Sequence, residues 1–223
     1  MLIDTRRGHC ASAALSCLLI FNVPAVACAQ GLTVDLMFGS AYNVPTPLTI
    51  RQDNYPVLKH TARYDTRPFG PYAPYYAGRL TFWRGDAGWE LELIHHRIFL
   101  SNTTADVERF EIHYGYSYLL AGRAWRTRGF ELHANGGAVM TKPASIVRGL
   151  PLNTPDAHER AGYDITGVGG SIAVSREFKL VGRLSLIGTA AVIAGTVSVP
   201  VAMGSARVPN VGLHGQIGAR LRF

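Results

Sequence analysis

The sequence predicts an all-β fold, an eight-stranded antiparallel transmembrane β-barrel. Three observations carry this reading: strand-length runs in which apolar and polar side chains alternate, connections that are alternately compact and long, and a last alternating run that ends the chain on Phe223. Composition agrees with one folded domain, since 223 residues that are 48% hydrophobic and 17% charged are too apolar for a disordered chain. An excess of 22 Lys+Arg over 15 Asp+Glu gives a net charge of +7. That balance would suit nucleic acid, but the basic residues are scattered among Tyr, Gly and Val without a block or motif, so nucleic acid is excluded as a partner.

Residues 1–29 read as a cleaved export signal. Arg6 and Arg7 form a cationic start, Ala11 to Phe21 is mostly apolar, and Ala27-Cys28-Ala29 puts small residues where signal peptidase reads. A spanning helix needs about 20 apolar residues, and this run is broken by Ser12, Ser16, Asn22 and Pro24. Cys10, Cys17 and Cys28 all leave with the signal, which excludes disulfides, cysteine-bound metals and cysteine nucleophiles from the mature domain, 30–223.

Eight alternating runs follow: 32–43, 75–84, 88–101, 107–121, 128–141, 162–177, 183–200 and 209–223. In 107–121 the apolar set is Phe110, Ile112, Tyr114, Tyr116, Tyr118 and Leu120, and the polar set is Arg109, Glu111, His113, Gly115 and Ser117. In 209–223, Val211, Leu213, Ile217, Ala219, Leu221 and Phe223 oppose Asn210, His214, Gln216, Arg220 and Arg222. Alternation alone fits a soluble barrel too. The connections decide for a membrane barrel: Gly85-Asp86-Ala87, Gly122 to Thr127 and Lys179 to Gly182 are compact, whereas 44–74 and 142–161 are long, as periplasmic turns and outer loops are. Aromatics near strand ends, among them Tyr75, Tyr76, Phe82, Trp83, Trp89, Phe99 and Tyr163, fit interfacial girdles. Leu221 and Phe223 match the C-terminal signature of bacterial outer-membrane barrels, read by the outer-membrane assembly machinery. Within 44–74, Leu48 to Gln52 and Leu58 to Asp65 can pair above the membrane and extend the first hairpin; ten strands is the alternative count.

With polar faces inward, the lumen holds Asp35, Arg79, Glu90, Glu92, His96, Arg109, Glu111, His113, Glu131, His133, His214 and Arg220. An eight-stranded barrel is just wide enough for side chains, so these groups are expected to pair as an internal salt-bridge network. A metal site or an acid/base pair is the rival reading of the Glu/His cluster, but no ligand spacing recurs; neither metal nor cofactor is expected. Gly136-Gly137 and Gly167 with Gly169-Gly170 lack the following helix of a phosphate loop and are read as relieving crowding in a narrow barrel. Arg51, Lys59, Arg63, Arg67, Lys142, Arg148 and Arg207 in the outer loops suit the phosphates of lipopolysaccharide, a solvated polar loop being the plain alternative.

The stretch Ile94-His95-His96 through Asp106-Val107-Glu108-Arg109-Phe110 resembles the active-site hairpin of the outer-membrane lipid A 3-O-deacylases, eight-stranded barrels with a lipid-facing His, Ser and Glu. The resemblance implies His95 as general base and Glu108 as its orienting carboxylate. It departs at the nucleophile, because the residue two beyond His95 is Arg97. Ser101-Asn102 supplies a displaced Ser-Asn pair, and six residues of strand put Ser101 roughly 20 Å from His95, beyond hydrogen-bond reach. His95 and Arg97 equally suit interfacial residues that snorkel to headgroups. The expected protein is therefore a monomeric barrel of the bacterial outer membrane with a plugged lumen. It contacts lipid and lipopolysaccharide as a structural or adhesive protein, without catalysis. A lipid A esterase using His95, Glu108 and Ser101 is the alternative, and a small-solute pore is a third reading.

Overall fold

The computed structural model describes residues 31–69, 74–152 and 164–223. The expected signal, residues 153–161 of the second long loop, Tyr163 and the side chains of His113 and Tyr114 lie outside the described residues. The strands are β1 (Gly31–Val44), β2 (Thr46–Gln52), β3 (Leu58–Ala62), β4 (Tyr64–Asp65), β5 (Tyr76–Arg84), β6 (Ala87–Leu100), β7 (Val107–Thr127), β8 (Phe130–Thr141), β9 (Ala144–Val147), β10 (Leu150–Leu152), β11 (Asp164–Val181), β12 (Leu184–Val201) and β13 (Gly204–Arg222).

The long strands pair antiparallel in the order β1-β5-β6-β7-β8-β11-β12-β13, and β13 returns to β1, so eight strands make a ring. At one end the hairpins turn in two residues, and each turn contains a positive φ: Gly85 (61°), Arg128 with Gly129 (47° and 83°) and Gly182 (55°). Turns of this kind match the twist of the flanking strands. Gly122 to Thr127, expected as a turn, is strand instead. The alternation runs on, with Trp125 outward and Ala124 buried, to a turn at Arg128-Gly129. At the other end, β12 and β13 continue to a two-residue turn at Ala202-Met203, and β2 pairs with β13 and with β3. Residues 44–69 thus add a hairpin on top of the ring, β4 pairs with β6, and β9 pairs with β7.

The outer wall is apolar. Leu36 and Phe38 of β1, Trp89 and Leu91 of β6, Leu119 of β7, Leu132 of β8, Ile172 of β11, Val192 of β12, and Leu213, Ile217 and Leu221 of β13 are all exposed. Inside, the half toward the short turns is polar and the half toward the long loops is an apolar cap of Leu48, Ile50, Ile98, Phe110, Ile112, Val147, Val197 and Val208. This inverts the expected facing of 107–121. Phe110, Ile112, Tyr116, Tyr118 and Leu120 are buried inside, and Arg109 and Glu111 stand on the outer side, paired with each other. Alternation reports which residues share a face but not which face meets the core, and here the core at that level is a greasy plug. Two girdle aromatics turn inward for a similar reason. Trp83 is buried with its indole N–H on Thr33 Oγ1 at 3.1 Å and the Arg126 guanidinium 3.7 Å over its ring, and Tyr75 is buried beside His214.

Tyr118 closes the middle of the lumen. A Cβ at Gly169 would stand 2.7 Å from its ring and one at Gly195 3.0 Å, so the phenol lies directly on the backbone of β11 and β12. Gly169 thus makes room for a ring.

Candidate functional site

The interior is organised around ion pairs between neighbouring strands. Asp35 sits opposite both Arg220 of β13 and Arg79 of β5, and Arg79 sits opposite Glu92 of β6. The Arg220 guanidinium donates to Asp35 Oδ1 and Oδ2 at 2.6 and 2.8 Å and reaches Glu131 at 2.7 Å and Glu177 at 3.2 Å. Arg79 donates to Glu92 at 2.7 Å, approaches Glu90 at 3.4 Å and donates to Ser175 Oγ at 3.2 Å. His133 Nδ1 is 2.7 Å from Glu90, Asn135 Nδ2 donates to both Glu90 and Glu92, and Ser171 Oγ donates to Glu92 at 3.0 Å. Nearer the short turns, Arg126 meets Glu131 at 3.2 Å and Arg222 pairs with Glu177. Above the network, Gln216 Nε2 donates to the Tyr75 hydroxyl, which meets His214 Nδ1 at 2.9 Å, and His96 Nε2 meets Thr66 Oγ1 at 2.8 Å.

Of the expected lumen residues, Glu90, Glu92, His96, Glu131 and His133 are therefore inside, buried and bonded. Arg109 and Glu111 are outside, on the rim beyond the lumen, and the His113 side chain lies outside the described residues. Among the described residues, no group of three or more His, Cys, Asp or Glu is placed to hold a metal ion. Leu221 and Phe223 are exposed, and the last residue is tied to β1 by Phe223 N–H on Leu32 O at 2.9 Å.

The residues proposed for catalysis do not meet. Ser101 Oγ donates to Arg63 O at 3.0 Å, and Glu108 Oε1 accepts the Gly149 N–H at 2.9 Å. His95, on the outward side of β6, has instead a hydroxyl from the next strand: its Nδ1 is 3.1 Å from Ser117 Oγ. The two are direct partners in the β6–β7 ladder. Just beyond them β7 bulges: three residues, 113–115, lie between Ile112 and Tyr116, where β6 has only Arg97 between Ile98 and His96. Gly115 in the bulge has φ 129°, and a Cβ there would stand 2.5 Å from Ser117 Oγ and 2.7 Å from His95 Cε1. Only glycine leaves the pair intact. Tyr76 stacks on the imidazole at 4.8 Å and 12°, which explains why an outward-pointing His95 is buried. Periodicity puts Ser117 on the inward face and does not reveal this contact, which depends on the register between strands.

A closed ring of strands with an apolar outer wall and a charged, sealed interior defines an integral membrane β-barrel of the outer-membrane type. Similar solved structures include outer membrane protein AlkL (TM-score 0.48, 10% identity, covering 86% of this chain and 90% of that one). Outer membrane protein OprG from Pseudomonas aeruginosa is another (0.46, 13%, 87% and 96%), as is Ail, the attachment invasion locus protein of Yersinia pestis (0.40, 13%, 86% and 98%). At these scores the likeness adds nothing to what the strand ladders define and carries over no activity. No protein-family model matches the chain, and no curated protein does.

The ion network sets a stability prediction. Asp35→Ala leaves two buried guanidiniums without their shared carboxylate and should destabilise the barrel by about 3–5 kcal/mol, whereas Asp35→Ala with Arg220→Met should recover part of that loss. Arg222→Ala, at the partly exposed edge, should cost about 0–1 kcal/mol. Urea unfolding in phosphatidylcholine vesicles reads these three together with the single Arg220→Met, and strictly additive losses for Asp35 and Arg220 would contradict the network.

Proposed function

We propose that the protein resides in a bacterial outer membrane, after export by the 1–29 signal, and acts through its outer wall and loop-side rim. It is a monomeric, structural and lipopolysaccharide-contacting barrel without a transport path. The observation that carries this reading is the filled interior: ion pairs and Trp83 occupy the half toward the short turns, Tyr118 crosses the middle, and an apolar cap fills the rest. A solute entering from either end would have to break buried ion pairs or displace the cap, each costing several kcal/mol. Leu221 and Phe223, exposed on the last strand, are available to the assembly machinery. The purified protein should give no steady conductance in planar bilayers, and the double variant Trp83→Ala/Arg126→Ala should still be closed because the upper layers remain. Sustained, monomer-sized channels from the unaltered protein would reject this reading in favour of a pore.

A second reading is favoured by the Ser117–His95 pair, which sets a hydroxyl against a base on the outward side of the barrel, beneath Tyr76, as an ester hydrolase of membrane lipid would use them. Ser117 Oγ would attack the ester carbonyl carbon while its proton passes to His95 Nδ1. The imidazolium would return that proton to the departing alkoxide, and water would then hydrolyse the acyl-serine by the same route. Nothing described orients the imidazole as a carboxylate would, since Glu108 is held by Gly149 N–H and Glu111 by Arg109. For that reason the non-catalytic reading stands first, and it expects the mass of hexa-acylated lipid A to be unchanged when the protein is expressed beside it. Loss of one acyl chain, abolished by His95→Ala and Ser117→Ala but retained in Ser101→Ala, would establish the second reading with Ser117 as nucleophile.

A further inference from the structure

The loop-side rim carries a pocket of about 630 Å³ whose lining includes Tyr42, Arg63, Asp65, Thr66, Arg67 and Ser101. Its backbone is fixed. Arg63 N–H donates to Asn102 Oδ1 at 2.7 Å, Arg63 O accepts from both the N–H and the hydroxyl of Ser101, and Asn102 Nδ2 donates to Thr61 O at 2.8 Å. The side chains on that frame are cationic. Arg63 and Arg67 are exposed, and among the described residues neither guanidinium is in an ion pair with a carboxylate.

Phe99 holds one of these guanidiniums beside the pocket. The Arg67 Cζ lies 4.3 Å from its ring centroid and the Arg97 Cζ 5.1 Å, so two guanidiniums share one phenyl ring. Each is attracted to the ring face, and Phe99 is flanked in its two ladders by Asp65 of β4 and Glu111 of β7. Arg63 and Arg67, which line the pocket, present planar guanidinium forks, and a phosphate is an anion able to accept from them.

The pocket also joins the apolar wall. Outward-facing Leu36, Phe38 and Tyr42 ascend β1, all strongly exposed, and Tyr42 is itself part of the pocket lining. A molecule with acyl chains along β1 would bring its polar end to Arg63 and Arg67, with Tyr42 at the boundary that tyrosines prefer. We propose that this rim pocket holds the phosphate of an anionic lipid headgroup whose chains lie on the β1 face. The proposal rests on the reading of the protein as a lipid-contacting barrel with a closed lumen, and it names the site of that contact.

The test is native mass spectrometry of the detergent-purified protein with dioleoyl phosphatidic acid or dioleoyl phosphatidylcholine added, and with inorganic phosphate as competitor. Phosphatidic acid should be retained about ten-fold more strongly than phosphatidylcholine, and Arg63→Gln/Arg67→Gln should remove that preference. Arg63→Lys/Arg67→Lys, which keeps the charge but loses the fork, should retain part of it, and Arg123→Gln, an outward cation on Trp89 at the other end of the barrel, should change nothing. Unchanged retention in the double glutamine variant overturns the site, and so does equal loss in Arg123→Gln. Displacement of the lipid by millimolar inorganic phosphate would show a free-anion site and overturn the lipid headgroup as occupant. The same preparations in planar bilayers separate the two claims: a closed barrel with unaltered lipid binding removes only the pocket, whereas a conducting barrel removes the reading beneath it.

Discussion

A chain of buried charge runs around the seam where the barrel closes. Arg220 of the last strand faces Asp35 of the first, Asp35 faces Arg79, and Arg79 faces Glu92, each pair directly opposed in its ladder. A slip of one residue between β13 and β1 would turn Arg220 outward into the apolar belt and strand Asp35 inside, because successive side chains of a strand point to opposite faces. The ion pairs therefore specify the register of closure, at a place where the two ends of the sequence must find each other. Neither charge tolerates lipid, and neither can reach bulk water from the lumen. Everything above and below is arranged around this level: Glu90, His133 and Asn135 extend the network across the lumen, and the Trp83–Arg126 stack closes the turn side.

The loop-side half obeys a different rule. There the strands outrun the belt, the β2–β3 hairpin and β9 lie against them, and the space between is filled with Leu48, Ile50, Ile98, Phe110, Ile112 and Val147 as in a soluble core. Tyr118 belongs to both halves, with its ring on the backbone of Gly169 and its neighbour Tyr116 donating to Val208 O at 3.1 Å. A barrel filled twice over, by charge and by grease, carries its remaining chemistry on the outer side, in the Ser117–His95 pair buried beneath Tyr76 and in the exposed arginines of the rim.

Much of the fold was legible because alternation survives in β6, β8, β12 and β13, where polar lumen residues oppose exposed Leu, Ile and Val. It misled in β7, whose inward face is the more apolar one: Phe110, Ile112, Tyr116 and Tyr118 fill the cap, while Arg109 and Glu111 sit outside. No rule of periodicity distinguishes a greasy face meant for lipid from one meant for an internal plug. The turn at Arg128-Gly129 was hidden by Gly122, which resembles a breaker but lies within β7 opposite Asn135. The Ser117–His95 contact was illegible for a further reason. It joins residues 22 apart across a bulged ladder, and the sequence does not record register. The unusual φ of Gly115 is the structural trace of that bulge.

The central claim, a closed ring around an interior that excludes solutes, is tested most directly by thiol accessibility. With Cys10, Cys17 and Cys28 replaced by serine, single cysteines at Ser175 in the lumen, Leu213 in the belt and Arg207 near the loop-side end would be offered a membrane-impermeant maleimide in phosphatidylcholine vesicles. Labelling confined to position 207, with 175 and 213 reacting only after urea denaturation, is the result the structure predicts. Rapid labelling of position 175 in the folded protein would contradict it and show a lumen open to water-borne solutes.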